Sequence, residues 1–359
     1  MKYEKEFPLF KTRIEGMAAI FDLGTIEGRE RYFQAKAGEE IEKLKQYFAE
    51  GKTFIAYFLG KKNSGKGTYT KLLVEIFGKD KVGHLSVGDI VREVHEAMLD
   101  ETKKRDLLDY LGKNYRGYLA PEKAIKALIN RDQKTLLPNE FIMALLKREI
   151  DQLKKKTIFI DGFPRNLDQI SYSLFFKELV DYRSDPDIFI AIDIPEAVLD
   201  ERMKGRRVCP ICRNPRNLKL FTTKEVEYDA KSGKFYLICD NPEHERLRML
   251  DKEGDEMGIE SIRERLELDD KLIKKIFSLH GVPKVFIRNA IPVEKAKEYV
   301  DDYEITPEYV HEYEEQSGKV VTKEKPFIVK DDEGIPVYSL LAPPVALSLI
   351  KQLVKVLGL

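Results

Sequence analysis

Gly60-Lys61-Lys62-Asn63-Ser64-Gly65-Lys66-Gly67-Thr68 follows the apolar run Thr53–Leu59 (TFIAYFL) and precedes Tyr69–Phe77, where apolar residues recur at helical spacing. The context is therefore strand, loop, helix. Small residues let consecutive backbone N–H groups curl around a phosphate, and the helix N-terminus adds positive dipole at the same point. Lys66 is placed to reach the terminal phosphates of a nucleoside triphosphate. A strand feeding such a loop predicts an α/β fold in which helices cover both faces of a parallel sheet.

Further strands support that reading. Thr157–Ile160 is a short apolar segment ending in Asp161-Gly162-Phe163-Pro164-Arg165, and Asp187–Asp193 (DIFIAID) is a second, again ended by an acid. His84–Leu85 is a third, leading into Ser86, a good N-cap residue, and a helix carrying Arg92. In open α/β sheets ligands bind at the carboxyl ends of the strands. The acids, glycines and arginines fall there. Ahead of the loop, Glu39–Phe48 has an amphipathic helical pattern with Gly51 as its stop. Residues 93–135 read as charged helices broken by Gly112, Gly117 and Pro121.

The 359 residues are 43% hydrophobic, enough for two or three domain-sized units. Lys+Arg 62 balances Asp+Glu 62, so no global field favours nucleic acid or an anionic membrane. No apolar run approaches the ~20 residues of a membrane span, and Met1–Glu6 lacks the apolar core of a signal peptide. Three cysteines form no even disulfide framework, which points to a reducing cytosol.

Asp161, directly after an apolar strand, suits a carboxylate that holds Mg²⁺ beside the loop, usually through water. Arg165 and Gln169 lie four apart, a spacing that would let one helical face grip a phosphate and a base edge. Glu201–Arg207 (ERMKGRR) is a dense basic group between a core strand and the cysteines. Its arginines suit phosphate because the guanidinium fork is rigid and bidentate. Cys209-Pro210-Ile211-Cys212 is a metal-type knuckle, and Cys239 supplies a third thiol. His244 is the best fourth ligand, with Asp240 and Glu243 behind it. Four protein ligands leave no open position, so such a zinc site is structural.

With these residues assembled, the chain resembles the adenylate kinase family of nucleoside monophosphate kinases over roughly residues 53–300. Gly65-Lys66-Gly67-Thr68 looks like the family's phosphate-loop ending, since Gly67 stands where a general P-loop carries Ser or Thr. Leu85-Ser86-Val87-Gly88-Asp89 with Arg92 is similar to the start of the monophosphate site. Leu136-Leu137-Pro138-Asn139-Glu140 resembles the segment that closes it. Asp161–Arg165 with Gln169 is close to the family's most distinctive motif. Arg202 and Arg206 match the arginines that bracket the triphosphate, and Arg265 matches one that closes with the lid. The cysteine module sits where the lid does, and some members carry zinc there.

The resemblance implies a P-loop three-layer α/β/α fold with a central parallel sheet, a helical monophosphate-binding arm (86–150) and a small zinc-binding lid (207–258). Residues 1–52 and 301–359 are then extensions around the core at 53–300. The implied reaction is reversible γ-phosphoryl transfer from MgATP to AMP, giving two ADP, with magnesium accompanying ATP and zinc stapling the lid. ATP would contact Gly60, Asn63, Ser64, Gly65, Lys66, Gly67, Thr68, Arg202 and Arg206. The acceptor would contact Ser86, Val87, Arg92, Leu137, Gly162, Arg165 and Gln169. Lys66, Asp161, Arg165, Arg206 and Arg265 would serve the transfer, Arg202 would stack on the adenine, and Cys209, Cys212, Cys239 and His244 would hold zinc. A cytoplasmic monomer without nucleic-acid or membrane partners is expected.

The sequence departs from the family at several points. Lys62-Asn63 replaces Pro-Gly ahead of Ser64, a change that Asn can accommodate because it tolerates left-handed geometry. Val87 replaces a Thr common in AMP-specific members, and the arm between Arg92 and Leu136 is enlarged. GMP, CMP, UMP or dTMP therefore stay open as acceptors. Arg248, with Asp251 or Asp255, is the candidate for a further lid arginine. Two segments resemble the family's last strand and helix: Lys284–Arg288 with Pro292-Val293-Glu294, and Val337–Leu341 with the apolar helix that follows to Leu359. A zinc protein that binds nucleotide without phosphate transfer is the alternative from another class. Nucleic-acid binding through the Arg206 segment is disfavoured by zero net charge and the lack of interleaved aromatics.

Overall fold

The computed structural model describes residues 7–130, 138–153, 155–165, 169, 185–212, 214–252 and 254–359. Along the chain, α1 (Ile26–Ala49) precedes β1 (Ile55–Leu59) and α2 (Lys66–Phe77), and then β2 (Val82–Ser86). Four helices follow: α3 (Val87–Ala97), α4 (Glu101–Asn114), α5 (Pro121–Ile129) and α6 (Asn139–Gln152). Next come β3 (Thr157–Asp161), β4 (Asp187–Asp193) and α7 (Glu196–Lys204). A group of short strands succeeds them: β5 (Arg206–Val208), β6 (Pro215–Asn217), β7 (Val226–Asp229), β8 (Lys234–Leu237) and β9 (Leu250–Asp251). The chain returns through α8 (Arg263–Phe277) to β10 (Lys284–Arg288), β11 (Ala290–Pro292) and α9 (Val293–Tyr299). It ends with β12 (Pro307–Glu314), β13 (Lys319–Pro326), β14 (Ile328–Lys330), β15 (Pro336–Ser339) and α10 (Ala342–Leu357).

The core is a five-stranded sheet in the order β10-β4-β1-β3-β2, with every pair parallel. β1 lies at its centre, pairing Ile55 with both Ile158 and Asp187. Its five residues are all buried, as expected of a strand covered on both faces. Alternate side chains divide between two cores. Ala56, Phe58, Ile188, Ile190 and Ile192 pack with residues of α1, α2 and α10. Tyr57, Leu59, Phe189 and Ala191 pack with residues of α3, α6 and α8. Each large side chain removed from water contributes about 1.5–3 kcal/mol. The sheet stacks β1, β3 and β4 in parallel, so their carboxyl ends converge on one edge, where the loop 60–65 and Asp161 lie.

Of the two C-terminal strand candidates, Lys284–Arg288 is the one in the core sheet. The other, at Pro336–Ser339, pairs antiparallel with β11 and β14 in a separate three-stranded sheet. The last core helix is nevertheless the distant one: α10 buries Val345–Ile350, Leu353 and Val354 in the same core as α1 and α2. An insertion of strands thus separates the fifth strand from the helix that covers it. The hairpin β12–β13 in this insertion lies against β7 and β8. Tyr313 stacks on Tyr228 at 4.5 Å between centroids, and His311 packs on Phe235. The Tyr309 N–H donates to the Lys219 carbonyl at 2.7 Å.

The N-terminal helix is longer than its sequence pattern, running from Ile26 with Thr25 accepting from the Gly28 N–H, and kinked at Ala37. It is tied to the insertion by a buried network. Lys36 Nζ lies 2.7 Å from Asp301 and 2.8 Å from Glu304, and neither Lys36 nor Glu304 exposes its side chain. The Tyr32 hydroxyl donates to Glu304 at 2.6 Å, and Thr12 does so at 2.5 Å. Gly112 lies inside α4, whereas Pro121 opens α5 at its first turn. Among the described residues no helix is long and apolar enough to cross a membrane.

Candidate active site and metal centre

The loop leaves β1 at Gly60, where an added Cβ would stand 2.9 Å from Ser64 Oγ and 3.0 Å from Ile192. Asn63 takes the left-handed conformation (φ 67°), as its residue type allows, and Gly65 does so at φ 99°. Lys66 opens α2, with its ammonium donating to the carbonyls of Gly60 at 2.8 Å and Lys61 at 3.1 Å. Two polar groups of the loop, Asn63 Nδ2 and Ser64 Oγ, are buried and have no hydrogen-bond partner among the described residues. Buried donors are rarely left so in a finished structure, and phosphate oxygens would satisfy them. An added Cβ at Gly67 would meet nothing within 4 Å, so the residue leaves open space over the start of the helix. Lys61 faces away, 3.1 Å from Glu196, 3.6 Å from Asp270 and 3.7 Å from Asp332. The two lysines have separate tasks.

A small pocket beside the loop is lined by Gly60, Lys66, Asp161, Gly162, Arg165, Arg265 and Asp269. Four of these come from three elements: Lys66 from α2, Asp161 from the end of β3, and Arg265 and Asp269 from α8. Lys66 Nζ is 3.7 Å from Asp161. Burial pushes the Lys66 ammonium below its usual range, with Asp161 and Asp269 opposing. Burial, and then Arg265, lower Arg165 in the same way. Three cations held together in a partly buried pocket need anions, and phosphates supply them. Asp269 escaped the reading of motifs, although its place four residues after Arg265 put both on one helical face.

Arg202 and Arg206 approach the loop from the far side. Arg202 donates to the Asn63 carbonyl at 3.1 Å and to Asn289 Oδ1 at 3.1 Å. Arg206 donates to Asn63 Oδ1 at 3.2 Å and pairs with Asp255. Asn289, another residue without a motif, is buried and also joined to Leu340 and Ser339 of the insertion. Arg248 lies over the ring of Tyr236, 4.1 Å from its centroid, while Asp251 pairs with Arg207.

The acceptor residues are less closely gathered. Val87 is buried at the start of α3, and its Cβ is 3.4 Å from where a side chain on Gly162 would begin. Ser86 precedes it but makes no side-chain cap. Gln169 is buried, accepting from the Arg165 backbone N–H at 2.7 Å and donating to Asn139 at 2.9 Å. It therefore links the Asp161–Arg165 motif to the segment at 138–140. Arg92 is not drawn into the pocket. Its side chain is 70% exposed and pairs with Asp89. Leu137 lies outside the described residues.

The four sulfur and nitrogen ligands form one cluster, with their ligand atoms all within 4.8 Å of one another. His244 Nδ1 is 3.4 Å from the sulfurs of both Cys209 and Cys239, and Cys212 Sγ is 3.8 Å from Cys239 Sγ. A tetrahedron with ~2.3 Å Zn–S bonds has sulfurs about 3.8 Å apart, so the donor set fits zinc. Asp240 is engaged by Arg216 at 3.0 Å, which leaves His244 as the fourth ligand. Burial would raise the Cys209 thiol, but the N–H groups of Cys212 and Ile211 outweigh it and hold its pKa down to about 6. Apart from these ligands, the small core here buries only Leu237 and Met249.

A glycine-containing loop between a buried parallel strand and a helix, facing acids and arginines at the strand ends, defines a P-loop phosphotransferase. The adenylate kinase family model matches residues 58–321. The chain is 30% identical to adenylate kinase of Thermotoga petrophila over 59% of its own length and 78% of the relative's. It is 33% identical to that of Staphylococcus epidermidis over 52% and 75%, and 28% to that of Clostridium novyi over 62% and 84%. The chain belongs to the adenylate kinase family. It is an enzyme that transfers phosphate between nucleotides.

Proposed function

We propose that the protein is an ATP:AMP phosphotransferase, converting MgATP and AMP reversibly to two ADP. The observation that carries this reading is the convergence of Lys66, Asp161, Arg165 and Arg265 on one pocket beside a loop with two unsatisfied buried donors. The choice of AMP is supported by the names of the relatives. The loop N–H groups, Asn63 and Ser64 cradle the donor's phosphates, and Gly60, Gly65, Gly67 and Thr68 shape that cradle. Lys66, Arg206 and Arg265 draw charge off the transferring phosphoryl group, and Arg202 lies beside the adenine. Arg165 bridges to the acceptor phosphate, while Gln169, with Ser86, Val87 and Gly162, surrounds the acceptor nucleoside. Arg92 joins this set by swinging away from Asp89. No covalent intermediate on the enzyme is needed, since positioning and charge stabilisation suffice for this transfer. Asp161 would hold the water shell of a magnesium ion bound with ATP, which would neutralise phosphate charge. Cys209, Cys212, Cys239 and His244 would hold a zinc ion with no open position, which makes its role structural. Cys209, Cys212 and Cys239 form no disulfide, which suits a reducing cytosol.

A second reading, the same chemistry on another monophosphate, is favoured by one observation: Val87 presents an apolar side chain next to Gly162, where a hydroxyl would otherwise meet the base. A coupled assay of ADP formation across AMP, GMP, CMP, UMP and dTMP separates the two. AMP is expected to exceed each of the others by at least about 100-fold in kcat/KM, since a site built to hydrogen-bond its substrate can reject analogues lacking those groups by about 10⁴-fold. A higher value for another monophosphate would reassign the acceptor. ATP binding without turnover of any of them would sink the enzymatic reading.

A further inference from the structure

Asp269 is the one acid in the phosphoryl pocket that the family motifs do not account for. It lies on α8, its side chain is 14% exposed, and its Oδ2 is buried without a hydrogen-bond donor among the described residues. Arg265 Nε, 3.9 Å away, is too far for a hydrogen bond. Across the pocket, Lys66 already stands by Asp161 at 3.7 Å. Burial pushes the Asp269 carboxyl up, against the pull of Arg265 and Lys66.

An orphan carboxylate oxygen is a liability where polyphosphate must enter, because like charges repel strongly in a partly buried pocket. It becomes an asset when a divalent cation enters with the phosphates. Magnesium keeps several waters and is bound through one or two carboxylates together with phosphate oxygens. Two carboxylates, Asp161 and Asp269, line this pocket from different elements. We propose that Asp269 is a second carboxylate for the nucleotide's magnesium, holding the ion's water shell opposite Asp161. The inference rests on the pocket being the phosphoryl site. It makes Asp269 a group that favours MgATP over free ATP, rather than one that only steadies Arg265.

Calorimetric titration of ATP into the full chain, with magnesium and with EDTA, tests this independently of turnover. For Asp269→Asn, free ATP is expected to bind about threefold or more tighter than to wild type, since a repulsive charge is gone. The tightening that magnesium brings is expected to fall about tenfold, as typically follows loss of a supporting metal contact. Asp269→Glu, which keeps the charge, should retain most of that tightening. An equal magnesium effect in wild type and Asp269→Asn overturns the proposal, as does equal loss of affinity with and without magnesium, the result expected if Asp269 only steadied Arg265. Should Asp269→Asn fail to fold, Asp269→Ser is titrated in its place under the same criteria. If wild-type protein binds ATP under neither condition, it is the reading of the pocket that fails.

Discussion

At the scale of single residues, Lys36 shows how much a fold can stake on one charge. It is sealed between Asp301 and Glu304, with Tyr32 and Thr12 completing the carboxylate's hydrogen bonds. Lys36→Met would leave the buried Glu304 carboxylate without its counter-charge, a loss of about 3–5 kcal/mol, measurable by urea unfolding. Burial opposes the Lys36 charge, but its bonds to Asp301 and Glu304 win and raise its pKa. Burial and Glu304 raise Tyr32 well above its usual value. Groups raised on folding stabilise below their unfolded pKa and lose that contribution as pH climbs through the folded one. Stability from this cluster is therefore expected to hold at neutral pH and to decline only above about pH 10. None of this was legible beforehand: Lys36 and Glu304 lie far apart in the sequence, each within an ordinary charged segment. The loop residues were legible, because the conformation of Asn63 and the place of Lys66 follow from neighbours along the chain.

At the scale of elements, the insertion between β10 and α10 changes how the cysteine module is held. The hairpin β12–β13 stacks Tyr313 on Tyr228 and packs His311 against Phe235, so β7 and β8 are fastened from outside. His311 is further fixed by the Leu218 carbonyl at 2.8 Å. An aromatic pair of this kind is worth about 0.5–1.5 kcal/mol. Tyr313→Ala should therefore speed amide exchange in residues 226–237 by about 2- to 12-fold. Exchange in β1 and β3 should be unchanged, and equal acceleration there would show a general loss of stability instead. The sequence offered two strand-and-helix pairs for the end of the core. The fold takes the strand from the first and the helix from the second, since β10 has a parallel partner in β4 and α10 has the broader apolar surface.

At the scale of the whole molecule, two stabilities are expected. The sheet is buried by helices on both faces, whereas the cysteine module has almost no apolar interior of its own. Metal coordination can supply ~10 kcal/mol or more of coupled folding energy. One zinc per chain is expected by metal analysis. Chelation, or Cys209→Ser, should unfold residues 206–251 locally while the thermal transition of the core stays in place. A single transition lost on chelation would show that the metal supports the whole fold.

The sequence by itself determined the phosphate loop, the parallel sheet, the Asp161–Arg165 motif and the grouping of three cysteines with His244. These depend on residue type and spacing within short stretches, where local backbone preference and alternation of apolar residues act directly. Only the tertiary structure decided which strand completes the sheet, that Lys61 is spent on Glu196, Asp270 and Asp332, and that Asp269 joins the phosphoryl pocket. Those outcomes depend on which distant side chains share a buried space. There desolvation makes every charge find a partner, and no local pattern records the choice.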